Sequence, residues 1–63
     1  MKRGDIFEHK RKRNDQGLPL LCEVTAVMRG RVYWRVSGDD GGAVFWFPLD
    51  RSEDYARMNE EGG

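Results

Sequence analysis

The stretch Val32-Tyr33-Trp34-Arg35-Val36-Ser37-Gly38-Asp39-Asp40-Gly41-Gly42-Ala43-Val44-Phe45-Trp46-Phe47-Pro48 decides the fold. It holds both tryptophans, one of the two tyrosines and two of the three phenylalanines of a 63-residue chain. Aromatic rings are the largest apolar surfaces available, so a core must form around them. Gly38 to Gly42 reads as a turn between two arms, because Gly and Asp accept the backbone angles a reversal demands. The first arm, Arg31 to Ser37, alternates. Val32, Trp34 and Val36 face the core, while Arg31, Tyr33, Arg35 and Ser37 face away. The second arm, Ala43 to Phe47, sets Phe45 and Phe47 against Val44 and Trp46 and is apolar on both sides. With the two phenylalanines assigned to the core, Trp46 is either covered from outside or presented as an exposed aromatic. Pro48 stops the ladder because it lacks an amide donor.

Outward from this hairpin, Leu20 to Met28 reads as the preceding strand. Cys22, Val24, Ala26 and Met28 share one face, with Leu21, Glu23, Thr25 and Val27 on the other, which Glu23 and Thr25 mark as mostly solvated. Arg29-Gly30 joins it to the hairpin, and Gly30 suits the positive φ of a tight turn. Met1 to Glu8 supplies a first strand in which only one of Ile6 and Phe7 can face inward. Between these strands, the basic run His9 to Arg13 and the polar Asn14 to Pro19 read as a solvated, mobile loop with His9 exposed. Beyond Pro48, Asp50 and Glu53 resemble a capping box opening a helix through Met58. Leu49, Tyr55 and Met58 would meet the sheet from this segment, plugging an open barrel end or covering the second face of the fourth strand. A fifth, very short strand is expected near Leu49 or Arg51. The expected fold class is mainly β: a small antiparallel barrel of four to five strands with a short C-terminal helix, one domain over residues 1–59, then a disordered tail over 60–63.

Bulk properties narrow the function. A chain this short hides only about 60% of its unfolded surface on folding and has little room for an enclosed substrate cavity, so a binding role is expected and an enzyme is not. Cys22 stands alone and there is one histidine, which excludes an internal disulfide and a zinc site of the usual Cys/His composition. Cys22 reads as a small buried hydrophobe. Asp39-Asp40 cannot supply the six or more oxygens of a calcium site, and no nucleophile accompanies His9. No cofactor and no metal are expected. No apolar run approaches the roughly 20 residues of a membrane helix, and the N-terminus lacks a signal peptide's apolar block, so a cytoplasmic protein without a membrane partner is expected. The net charge of zero divides into +4 over residues 1–31 (eight Lys/Arg against four Asp/Glu) and −4 over residues 32–63 (three against seven).

The Gly4-Asp5-Ile6 opening, the long basic segment, the three-strand meander and the helical turn after Pro48 together resemble an SH3-like small barrel. That resemblance implies a fold hosting nucleic-acid binders, methyl-mark readers and peptide-binding modules, with no one of them singled out. The opening Met1-Lys2-Arg3-Gly4-Asp5-Ile6 is also similar to the start of the MazF-like RNA-cleaving toxins. That family follows its basic loop with an Arg-Pro pair. Here Leu18-Pro19 stands in that place, so the arginine is missing and nuclease activity is not expected. The Phe7 to Arg13 run, the Cys22-Glu23-Val24-Thr25 strand and the Val32-Tyr33-Trp34 strand resemble small proteins of actinobacterial genomes and their phages.

Two surfaces carry functional expectations. Tyr33, Arg35 and Trp46 are residue types that anchor protein interfaces, so a phage- or mobile-element-type module engaging a protein partner through them is the first expectation. The alternative is nucleic-acid binding, to DNA or RNA, through Lys10, Arg11, Lys12 and Arg13 with Arg29 and Arg31, because such cations release counterions from phosphates. Arg35 would then either join these cations or pair with Glu23 across the strand. An aromatic cage for a methylated side chain lacks walls if the phenylalanines are core. A homodimer through an exposed edge strand is compatible with the layout.

Overall fold

Five antiparallel strands curl into a half-barrel in the computed structural model, which describes residues 1–39 and 41–58. They are β1 (Ile6–Arg13), β2 (Pro19–Met28), β3 (Arg31–Val36), β4 (Phe45–Pro48) and β5 (Ala56–Met58). The sheet order is β4-β3-β2-β1-β5, so β4 and β5 are its two edges. The mainly β, barrel-like class with a short helix near the C-terminus is as expected from sequence. Asp40 of the acidic turn and the tail from residue 59 lie outside the described residues.

The core is the concave side: Phe7, Cys22, Val24, Val32, Trp34, Phe47 and Ala56, with Leu20, Val27 and Tyr55 packed against it. Phe7 meets both Trp34 and Phe47 edge-on, at ring distances of 6.0 and 5.8 Å. Of the Ile6-Phe7 pair, Phe7 takes the inward position and Ile6 stays exposed. Tyr55 stacks on Phe47 at 5.3 Å and 8°, tying the C-terminal segment to the inner face of β4 across the open side of the sheet.

Several local readings are corrected. The first strand is not Met1 to Glu8 but Ile6–Arg13, and the basic run is its second half rather than a mobile loop. β2 pairs with residues 6–9 on one side and β5 with residues 7–9 on the other, and after a register shift Arg13 pairs with Pro19, so pairing at both ends of the run holds its cations in the strand. His9 pairs with Leu20 and Ala56, and this places it inside, 5% exposed, instead of in solvent. The Asn14 to Leu18 connection is an ordered turn: Asn14 Oδ1 accepts the amides of Gln16 and Leu18 at 2.8 and 3.0 Å.

In β2, alternation fails after Val24. The register shifts between Val24 and Ala26, so one extra residue stands opposite β3 and the faces exchange. Val27 therefore packs on the core opposite Val32, while Met28 is exposed. The Arg29-Gly30 turn is as read, with φ of 53° and 73°, the pair of positive angles that a two-residue hairpin requires. β4 begins at Phe45, not Ala43, and runs through Pro48. Phe47 is buried, but Phe45 is 42% exposed at the end of the edge strand, one ring face stacked on Trp34 at 4.8 Å.

The expected helix through Met58 is cut short. A 3-10 turn, Leu49–Arg51, leads into a single helical turn, α1 (Ser52–Tyr55), and neither has a side-chain cap hydrogen bond, so the capping box is not made. Residues 56–58 leave the helix for β5, and the fifth strand therefore lies after the helical turn rather than near Leu49 or Arg51. The gain is tertiary: β5 supplies partners for Phe7, Glu8 and His9 on an otherwise unpaired edge of β1.

Candidate protein-binding face

The convex side of β3 and β4 collects the three residues singled out for a protein partner. Arg31, Tyr33 and Arg35 share it by strand alternation, and Trp46 lies directly opposite Tyr33 in the β3–β4 register. Trp46 is 49% exposed, and α1, which packs on the inner side through Tyr55, leaves it uncovered. The Arg31 guanidinium lies 4.3 Å from the centre of the Trp46 ring, within the range of a cation–π contact. This stack holds the indole in one place and leaves the rest of its surface to solvent.

Arg35 completes the row. Its Nε and Nη2 both donate to Glu23 Oε1, at 3.3 and 3.0 Å, so the cross-strand pair anticipated from sequence is formed. Beyond it on the same face lie Ile6 and Leu21, both exposed, with Glu8 between them and the β1–β2 turn. A shallow groove of about 440 Å³ continues from there, its apolar walls Leu18, Pro19, Leu20, Leu21 and Val36 interrupted by Glu8, Asn14 and Ser37. Sequence reading put Leu21 on the solvated face of its strand and left open which of Ile6 and Phe7 faces outward, but missed Leu18 as a surface feature. Leu18 precedes β2 and so takes no part in its alternation, and the choice of Phe7 over Ile6 follows from the register of β1 on β2.

The residues proposed for nucleic acid come from two places in the chain, Lys10 to Arg13 from the second half of β1, and Arg29 and Arg31 from the β2–β3 turn and the start of β3. His9, at the head of the basic run, pairs with Leu20, and Arg31 pairs with Met28, eight residues further along β2. The run is also engaged within the fold. Lys10 Nζ donates to the Glu53 carbonyl, and Arg11 Nε donates to that of Asp54 at 3.4 Å, so both cations meet carbonyls of the α1 turn. Arg11 also lies 4.9 Å from the Tyr55 ring centre, and Lys12 is 5.9 Å from that of Phe45. Arg13 donates to the Gly17 carbonyl at 3.0 Å and closes the β1–β2 turn.

Neither buried titratable group looks chemically active. His9 Nδ1 accepts the Arg11 amide at 3.0 Å, so that nitrogen carries no proton. Burial, followed by the nearby charges of Lys12 and Arg11, lowers its pKa from 6.5. Its ring packs 5.0 Å from Trp34 and has become part of the core's aromatic cluster. The Cys22 thiol is fully buried and is pushed up to about 11 by that burial, which leaves it a poor nucleophile at neutral pH. Among the described residues, no three His, Cys, Asp or Glu side chains come together as a metal site, and no helix is long and apolar enough to cross a membrane. Comparison of the chain with protein-family models, with curated proteins and with solved structures found no match.

Proposed function

We propose that this chain is a small, non-enzymatic, SH3-like binding module that engages a protein partner through the Tyr33/Arg35/Trp46 face. The observation that carries this reading is the half-exposed Trp46, fixed on an edge strand beside Tyr33 and under the Arg31 guanidinium. A tryptophan left in water at this level forgoes part of its burial energy, about 25 cal/mol for each Å² of apolar surface left uncovered. Trp, Tyr and Arg are also the residues that most often dominate interface energetics. Held by strand pairing and by its cation, the indole loses little further entropy when a partner covers it.

A second reading, single-stranded nucleic acid, has one observation in its favour: two guanidiniums flank two aromatic rings on one face, an arrangement on which a base can stack. Salt separates the two. Partner capture through the aromatic face should survive raised salt and fail with Trp46→Ala and Tyr33→Ala. Nucleic-acid binding should weaken steeply with salt and respond to Arg31→Gln. The experiment is capture with wild-type and variant protein at low and high salt, run beside an amide-resolved NMR titration with mixed-sequence DNA and RNA. Capture that is indifferent to both aromatic substitutions refutes the protein-binding reading. Saturable, salt-sensitive shifts around Arg31 to Arg35 with nucleic acid would replace it.

A further inference from the structure

The phase of the β3–β4 ladder determines which backbone groups of β4 are unused. The Leu49 amide donates to the Gly30 carbonyl at 2.8 Å, and Leu49 lies opposite Gly30 because Arg31 pairs with Pro48. Opposed residues in an antiparallel pair alternate between those that exchange hydrogen bonds and those that turn their N–H and C=O outward. Leu49–Gly30 is of the first kind. Arg31–Pro48 and Tyr33–Trp46 are therefore of the second, with Val32–Phe47 between them of the first. Trp46 thus directs its own N–H and C=O away from β3, to the side where the sheet ends. Pro48 obeys the same phase, since the amide hydrogen it lacks would have pointed outward to that edge.

We propose that the free edge of β4 docks an extended acidic segment of a partner protein, added antiparallel as a sixth strand that hydrogen-bonds to the Trp46 backbone. This rests on the partner-binding reading above and states how the same face would be engaged. Charge selects the occupant. Arg35–Glu23 is the only ion pair among the described residues, so Arg29 and Arg31 form no ion pair there. A strand residue opposite Trp46 has its side chain on the convex face, beside Trp46 and Arg31, where a carboxylate is favoured. The next residue points to the concave side, toward exposed Phe45, where an apolar side chain is favoured. A second copy of this chain fits less well. Two-fold pairing of β4 about Trp46 would set two Trp46–Arg31 stacks side by side, like charge against like.

The test uses an acetylated, amidated peptide alternating glutamate and valine, titrated into the intact protein and followed by amide-resolved NMR. Residues opposite Trp46 are the glutamates, so their amides are the ones that bond to β4. N-methylation of the glutamate amides should weaken binding roughly fivefold for each hydrogen bond lost, at about 1 kcal/mol apiece. N-methylation of the valine amides should leave it nearly unchanged. Shifts should centre on residues 44–48, Arg31→Gln should weaken binding, and a lysine/valine peptide should not bind. No shift at this edge up to millimolar peptide overturns the proposal. So does equal sensitivity to the two methylation patterns, or sensitivity at the valine amides alone. If Trp46→Ala abolishes partner capture while the methylation patterns are indistinguishable, strand addition falls and the binding face stands. If Trp46→Ala changes neither, both fall. Amide dispersion of each variant reports that it is folded.

Discussion

Trp34 offers a sharp test of how the core is held. It is the bulkiest core side chain, 2% exposed, between Phe7 and the stacked ring of Phe45. Its Nε1–H is buried without a hydrogen-bond partner. Trp34→Phe keeps an aromatic ring but deletes that nitrogen and two carbons. Two buried carbons are worth about 1.6 kcal/mol of transfer energy, and the cavity left behind raises the loss to about 2–3 kcal/mol. Against this, removing a buried donor that has no acceptor returns about 1–3 kcal/mol. The two terms nearly cancel, and the variant should lie within about 1 kcal/mol of the wild type. For a chain of this length the whole folding free energy is only about 3–9 kcal/mol, so the distinction is measurable. Urea unfolding followed by circular dichroism and by the fluorescence of Trp46 would provide it, with an unchanged m-value showing that only stability has moved. A loss of more than about 3 kcal/mol would refute the reasoning, because it would mean that the indole N–H is satisfied in solution.

Four further outcomes are expected. His9 has its pKa lowered by burial and then by Lys12 and Arg11, so the unfolded chain takes up a proton before the folded one does. Its contribution to stability is full above pH 6.5 and is lost as the pH falls through the lowered native value. Urea midpoints at a series of pH values should show this slope, and His9→Phe should remove it. Arg29→Asn places a residue tolerant of left-handed backbone at φ 53°, and the melting temperature should report a gain of about 0.5–1 kcal/mol. Lys10→Met deletes the donor to the Glu53 carbonyl and should cost about 0.5–1 kcal/mol, with faster hydrogen exchange concentrated in β5. The Cys22 thiol, buried and raised to about 11, should react with an aromatic disulfide reagent only as fast as the protein opens, and a fast native reaction would show the core to be looser than described.

The sheet edges connect these chemical details with the proposed role. β5 covers one side of β1 with three residues, and the cations Lys10 and Arg11 secure the helical turn that delivers it. Among the described residues the opposite edge, β4, has no such cover, and Phe45 and Trp46 on it, with Val44 just before it, are exposed. An uncovered apolar edge invites pairing with another chain, which soluble proteins normally prevent by charge or by proline. Here Pro48 guards only the last position, and Arg31 stands beside Trp46 rather than across the edge.

Local pattern alone determined much of this protein. Period-two alternation of Val32, Trp34, Tyr33 and Arg35 placed β3 with the correct face inward. Gly30 fixed the tight turn before it, and the doubled apolar character of β4 set Trp46 on the face away from the core, where the tertiary structure leaves it exposed. These features depend on neighbours two or three residues away, which the chain carries with it in any environment. What tertiary structure alone decided depends on partners far along the chain. His9 to Arg13 is a strand because β2 pairs with both of its ends, and His9 is buried because of the register that β2 and β5 impose on it. The bulge after Val24 exchanges the faces of Ala26, Val27 and Met28, an event of pairing that leaves no mark in the alternation. Residues 56–58 carry no strand pattern of their own and join the sheet because β1 offers an unpaired edge. A basic run and a helix-like tail have several acceptable local conformations, and long-range hydrogen bonding selects among them.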